Sequence, residues 1–318
     1  ITSIGKDCKH RGLWIKDAGR LESLTALRSL SGEVGGTLHL RRLKSLKTLD
    51  GLQNLRSLDT SEGAPYYCYD PPQGPISLNL ESCPDLVSIE GLQGLRGILR
   101  GKLQIIDLDR LTSVAGLEGL ESVGGLHIEA CPQLDSIRGF QGLTGGMQRA
   151  GLYIADCNVL RSLQGLERLR HVGSLRLQHL PQLESLAALA SCTHALYGNI
   201  SLESLDKLES LHGLQNLKWG PGDPCRITRH VRIVRIKNCK RLQSIAALAS
   251  IVGRISSIEI SGLDSLLSLQ GLQNMTAPSW LIKSVPEVCS TEGMEPAGPE
   301  EAGCEEANGE RDMALSSQ

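Results

Sequence analysis

The side chains that could do chemistry in this 318-residue chain are ten cysteines, eight histidines and a balanced set of charges. Their spacing matches no reactive centre. Zinc sites built from paired CxxC elements, or from HExxH on a helix, need ligands that converge on one ion, and neither pattern occurs. His127-Ile-Glu129 followed by Cys131-Pro132 has the opening of a zinc deaminase signature, but the second CxxC element that would complete it is missing. Gly101-Lys102 is followed by Leu103, so there is no P-loop; no GxGxxG follows a strand, and no GxSxG elbow appears. The expectation is a chain without catalytic residues, metal or cofactor.

Charge says more about surfaces than about chemistry. Arg226, Arg229, Arg232, Arg235, Lys237, Lys240 and Arg241 form a basic run. It is interrupted by apolar Val234, Ile236 and Cys239, which reads as a solvated face rather than a nucleic-acid site. Residues 287–318 carry nine acids and one base and are rich in Gly, Pro and Glu, the composition of a disordered tail. Asn199-Ile-Ser201 and Asn274-Met-Thr276 are glycosylation sequons. No run of 18 or more apolar residues exists, so no membrane-spanning helix is expected.

What positions these residues is a repeat. Leu126, Ile128, Cys131, Leu134, Ile137, Phe140 and Leu143 are spaced 2, 3, 3, 3, 3, 3, and the same seven-slot ruler recurs ten times, starting at Leu13, Leu38, Leu78, Leu103, Leu126, Leu152, Leu175, Ile200, Val234 and Ile258. The first pair, two apart, puts both side chains on one face of a strand. Steps of three do not fit an α-helix, where each would slip by roughly 60°; they fit turns and short 3₁₀ pieces. A glycine often precedes the sixth slot (Gly51, Gly91, Gly116, Gly139, Gly165, Gly213, Gly271), where a corner needs backbone freedom. Each copy is therefore one coil of a solenoid. A lone coil buries too little to offset its ordering entropy; stacking coils makes the core continuous. The fold expected is mainly β: a right-handed β-helix, leucine-rich-repeat-like, of about ten coils with short parallel strands. The solenoid spans 1–276, with Ile1 and Ile4 reading as tail slots of an earlier copy; 277–286 is a cap or linker.

The cysteines fall on this ruler. Cys83, Cys131, Cys157 and Cys239 occupy slot three and Cys192 slot seven, as small buried hydrophobes would. Cys131 and Cys157 lie in consecutive coils, where a bridge is geometrically conceivable. Cys8, Cys68, Cys225, Cys289 and Cys304 are off the ruler.

Between slots one and two each strand has one outward side chain. Up the stack this column reads Trp14, His39, Asn79, Gln104, His127, Tyr153, Arg176, Ser201, Arg235 and Glu259. The inward slots hardly change, whereas this column is polar or aromatic and differs at almost every rung, which suits a binding face. The candidate face is Trp14, His39, Asn79, Gln104, His127, Tyr153, Arg176 and Arg235. Its single carboxylate, Glu259, argues against a polysaccharide-cleaving β-helix, which needs clustered acids. The insertion 57–75 holds Tyr66, Tyr67 and Tyr69, a candidate binding loop.

The string L-x-[LI]-x-x-[CL]-x-x-L-x-S-[LI]-x-G-L-x-x-L, clearest in SLNLESCPDLVSIEGLQGL (77–95) and LHIEACPQLDSIRGFQGL (126–143), resembles the receptor L-domain family of insulin- and epidermal growth factor receptor-like ectodomains. The resemblance implies a noncatalytic module that binds a protein or glycan ligand outside the cell or at its surface. Ten coils exceed one L domain, so it also implies two fused L domains split near 146–151, or an extended relative. The alternative is an intracellular leucine-rich scaffold in the cytoplasm.

Overall fold

The computed structural model describes residues 12–59, 76–147, 151–193, 198–219 and 232–286. The acidic segment 287–318 and the off-ruler cysteines lie outside the described residues. The dominant element is an eleven-stranded sheet whose strands we number by coil: β1 (Gly12–Lys16), β2 (Thr37–Arg41), β3 (Ile76–Glu81), β4 (Gly97–Ile106), β5 (Leu120–Glu129), β6 (Gly151–Ala155), β7 (Leu175–Gln178), β8 (Ile200–Glu203), β9 (Ile233–Lys237), β10 (Ser257–Ser261) and β11 (Trp280–Lys283). Each strand pairs in parallel with the strand of the next coil. The ten L-x-L sites are strands, and segment 277–286 adds an eleventh. The sheet also runs past 146–151 without a break, since Leu126 pairs with Leu152 and Ile128 with Ile154.

The steps of three have a direct cause. The N–H of one slot donates to the carbonyl of the slot three residues earlier, as in Leu134 to Cys131, Phe140 to Ile137 and Leu143 to Phe140. Slot four thus closes a turn on slot three, slot six on slot five and slot seven on slot six, and the chain bends while keeping an apolar side chain inside. From Leu38 to Met275 no slot is more than 4% exposed. In the first coil Ile15, Ala18, Leu21 and Leu27 are only partly buried.

The repeating unit is two coils, not one. Coils 1, 3, 5, 7 and 9 turn their corner with a 3₁₀ segment: Thr25–Leu27, Glu90–Leu92, Arg138–Phe140, Ala187–Leu189 and Ala246–Ser250. Coils 2, 4, 6, 8 and 10 turn it on a glycine at positive φ: Gly51, Gly116, Gly165, Gly213 and Gly271. The N–H of each of these glycines donates to the Gln or Glu side chain two residues on. A Cβ on Gly213 would stand 2.0 Å from the Leu186 carbonyl oxygen of the coil beneath. Short second strands join the members of a unit: Gly32–Gly35 with Leu55–Asp59, Gly146–Met147 with His171–Val172, and Gly253–Arg254 with Met275–Thr276. Gly91 and Gly139 have no positive φ, yet a Cβ on either would also meet a carbonyl oxygen at 2.0 Å; close approach, not backbone freedom, explains them.

Candidate functional site

The strand column is one line of cross-strand partners: Trp14, His39, Asn79, Gln104, His127, Tyr153, Arg176, Ser201, Arg235, Glu259 and finally Leu281. Sharing a face at about 4.8 Å per rung, these side chains contact one another. Trp14 stacks on His39, ring centroids 4.3 Å apart and planes 11° apart, with Lys16 Nζ 4.2 Å from the Trp14 centroid. Asn79 Nδ2 lies 3.2 Å from His39 Nδ1 and 3.5 Å from its Nε2, and donates to Glu81 Oε2 at 3.1 Å. His127 Nε2 is 2.7 Å from Glu129 Oε2, and its Nδ1 faces Gln104 Nε2 at 3.4 Å. Tyr153 tilts against His127 at 4.5 Å and carries the Arg176 guanidinium over its ring at 5.4 Å. Arg235 holds Glu259 through two hydrogen bonds of 2.7 and 3.0 Å, and Lys237 adds an ion pair at 2.9 Å.

The order of the first six rungs is aromatic, imidazole, amide, amide, imidazole, aromatic. Each imidazole has an aromatic ring on one side and an amide on the other. Burial is uneven along the column. His39 is 7% and Asn79 1% exposed, and Ser201 is 4% exposed. His39 and Asn79 therefore offer a partner almost no contact area, although both face outward. Trp14 and Arg176 are exposed, while Gln104, His127, Tyr153 and Arg235 are half-buried. Asn79 Oδ1 and Ser201 Oγ are buried without a hydrogen-bond partner. Tyr66, Tyr67 and Tyr69 lie outside the described residues.

Environment moves several titrations. Burial, helped by Lys16 and Arg41 and opposed by Glu81, holds His39 below its usual range. Burial also lowers His127, against the hydrogen bond and charge of Glu129. Burial raises Tyr153, with Glu129 adding to it. The hydrogen bonds from Arg235 and then Lys237 bring Glu259 down to about 2.

Other residues singled out by the sequence have structural work. Cys83, Cys131, Cys157, Cys192 and Cys239 are buried free thiols. Burial raises Cys131, Cys192 and Cys239 to about 12 and Cys157 further still. The slot-three thiols donate to the carbonyl two residues earlier: Glu81, Glu129, Ala155 and Lys237. Asn199 of the first sequon accepts from the Ile233 N–H. Asn274 of the second donates to Ala249, as Asn54 and Asn216 do to Arg28 and Ala190 in their coils. Within the basic run, Arg241 pairs with Glu209, and Arg232 lies over Trp219. Among the described residues no three His, Cys, Asp or Glu side chains converge as a metal site, and no helix is long and apolar enough to cross a membrane.

One column escaped sequence reading altogether. The residue two past slot two has φ between +50° and +65° in every coil: Asp17, Arg42, Ser82, Asp107, Ala130, Asp156, His179, Ser204, Asn238, Gly262 and Ser284. Through Gly262 each N–H donates to the strand end of the next coil, as Asp107 does to Glu129. The excess of Asp, Ser and Asn there was the available signal, since short polar side chains tolerate this conformation. Arg42 pairs with Asp17, and His179 with Asp156, along the same line.

Comparison with family models, with curated proteins and with solved structures gives no match for this chain.

Proposed function

We propose that the chain is a noncatalytic recognition module, the ligand-binding part of a receptor-like protein at the cell surface, and that its protein or glycan partner docks on the strand column. The observation that carries this reading is the unbroken register of the column over eleven strands. It holds variable side chains on a rigid wall whose inward slots are apolar, so specificity can change without disturbing the core. Within the column, the anchors are the members that combine area with access: Trp14, Tyr153 and Arg176, with Gln104 and His127 beside them. Aromatic and arginine side chains usually dominate interface energy. Resemblance to receptor L domains supports the cell-surface assignment. The intracellular-scaffold reading draws on a different observation, five buried free thiols, a state that a reducing compartment preserves.

The test displays the full chain to protein and glycan libraries. A partner found this way should lose about tenfold or more in affinity with Tyr153→Ala and with Arg176→Glu, while Ser136→Arg at a coil corner leaves it unchanged. Loss with the corner variant alone, in a protein that still melts normally, would place the interface elsewhere.

A further inference from the structure

The arginines on the outward face of the sheet are not equivalent. Arg41 pairs with Glu81 at 3.0 Å, and Arg235 pairs with Glu259 at 2.7 Å. Arg176 on β7 has no ion pair among the described residues. Its guanidinium lies over the Tyr153 ring, and its side chain is exposed. The nearest carboxylates are engaged elsewhere: Glu129 faces His127 and Tyr153, and Glu203 accepts from Gln178 at 3.2 Å. A guanidinium over an aromatic face still presents N–H groups at its edge, and that fork matches a carboxylate.

The next rung of the column is Ser201 on β8, and the one after it is Arg235 on β9. The two arginines lean apart, Arg176 towards Tyr153 on β6 and Arg235 towards Glu259 on β10. Their strands lie about 9.6 Å apart, so the short serine side chain forms the floor of a notch between two long ones. Ser201 is 4% exposed, and its Oγ is buried with no hydrogen-bond partner. A hydroxyl left unpaired in this way costs stability, and an acceptor brought from outside would recover it. The charges around the notch are Arg176, Arg235 and Lys237 against Glu203 and Glu259. Arg235 and Lys237 both hold Glu259, which leaves Arg176 as the cation without a counter-charge. A carboxylate meets both needs: it accepts from the guanidinium on one side and from the hydroxyl beneath.

A glycan would bring its carboxylate on a sugar ring, which packs on an open aromatic face. The column offers none: Tyr153 lies between His127 and Arg176, and Trp14 between His39 and Lys16. We propose that Arg176 and Ser201 form a carboxylate-binding notch in the column, filled by an aspartate or glutamate side chain of the protein that docks there. That the acid comes from a docked partner rests on the reading above; the affinity of the notch for a carboxylate does not.

The free full-length chain tests the notch at low ionic strength with three probes: the blocked peptide Ac-Ala-Glu-Ala-NH₂, its glutamine counterpart, and glucuronate. Arginine Nε–H spectra follow Arg176, assigned through Arg176→Lys. The glutamate peptide should shift the Arg176 Nε–H and the Ser201 amide along one saturable curve, while the Arg235 Nε–H, tied to Glu259, moves little. The neutral glutamine peptide should bind about tenfold more weakly, and glucuronate more weakly than the glutamate peptide. Followed at the Ser201 amide, Arg176→Lys should weaken the glutamate peptide about fivefold, because an ammonium lacks the fork. Ser201→Ala should weaken it about threefold yet melt no lower than wild type, since it removes the orphan hydroxyl. Equal shifts with the glutamate and glutamine peptides would overturn the notch, as would Ser201→Ala binding like wild type. Glucuronate bound as tightly as the peptide would give the site to a glycan and overturn the protein assignment. So would an Arg176 signal in the free chain that moves when Glu300, Glu301, Glu305 and Glu306 are replaced with glutamine, because the chain's own acidic segment would then be the occupant. A captured partner that loses affinity with Tyr153→Ala but not with Arg176→Lys would overturn the partner assignment alone. One that loses affinity with neither would overturn the docking reading, and the peptide result would still decide the notch.

Discussion

Three glycines separate the forces that set the spacing between coils. Gly213 has φ +113°, and a Cβ there would lie 2.0 Å from the Leu186 carbonyl oxygen and 2.5 Å from its carbon. Gly32 has φ +82° with nothing within 4 Å, and Gly19 has neither a positive φ nor a neighbour within 4 Å. Replacing Gly19 with alanine removes unfolded-state entropy alone and should stabilise by about 0.4–1 kcal/mol. Gly32→Ala adds backbone strain of about 1–2 kcal/mol. Gly213→Ala carries similar strain and must also move backbone by more than an ångström to relieve the contact, an overpacking cost of about 1–3 kcal/mol. The total, about 2–5 kcal/mol, is a large share of a typical folding free energy of about 5–15 kcal/mol. The Gly213 N–H bond to Gln215 survives the substitution, so the loss reports the clash and the φ. Urea unfolding followed by circular dichroism should rank the midpoints Gly19→Ala, then Gly32→Ala, then Gly213→Ala. Because solenoid stability sums neighbour terms, exchange should localise the damage to coils 7 and 8. A Gly213→Ala midpoint equal to that of Gly19→Ala would refute the close-approach argument.

Leu134→Asp puts an unpaired carboxylate into a slot that is 0% exposed and should cost several kcal/mol; a melting curve unchanged from wild type would mean the slot is not core. The five buried thiols should resist alkylation at pH 8, because burial that raises Cys131, Cys192 and Cys239 to about 12 leaves almost no thiolate; site-resolved mass spectrometry should find them labelled only after denaturant is added. His39 and His127 titrate lower in the folded chain than in the unfolded one, so the native state binds fewer protons. Their contribution is complete above about pH 6.5 and falls, by up to about 1.4 kcal/mol per pH unit for each ring, as pH drops towards their folded values. Melting temperature should therefore decline below pH 6.5, and less steeply in His39→Gln. Glu259 acts lower: its pair with Arg235 and Lys237 is intact above about pH 4.5 and lost towards pH 2, so Glu259→Gln should flatten the acid limb of the stability profile only in that range.

Much of this molecule can be read from spacing. A pair two apart followed by steps of three allows one arrangement in which every apolar slot points inward, and from the second coil onward the slots are buried as that spacing requires. The same spacing identifies the outward column, because side chains alternate along a strand regardless of what the next coil contains. The alternation of corners left only a faint trace. Coils with a 3₁₀ corner carry Ser or Gly just before slot seven (Ser29, Gly94, Gly142, Ser191, Ser250), but so does coil 4 with Gly119, Gly-Leu-Gln occurs in both kinds of coil, and the same slot-five carbonyl of the coil beneath meets the glycine in both.

The sequence by itself determined the ten rungs that carry the ruler, though not the eleventh strand at Trp280–Lys283, together with the direction of each strand side chain and the apolar identity of the core, since these follow from local periodicity and the need to bury apolar surface. Tertiary structure alone decided which outward residues remain reachable. Trp14 and Asn79 occupy equivalent positions in their strands, yet one is exposed and the other is 1% exposed. Their neighbours across the sheet, 25 to 40 residues away in the chain, set that difference. The surroundings of His39 are likewise a property of three strands together: Glu81 orients Asn79, the Asn79 amide lies against the His39 ring, and His39 stacks on Trp14. No local pattern encodes such a chain of contacts, because each link exists only once the coils are stacked.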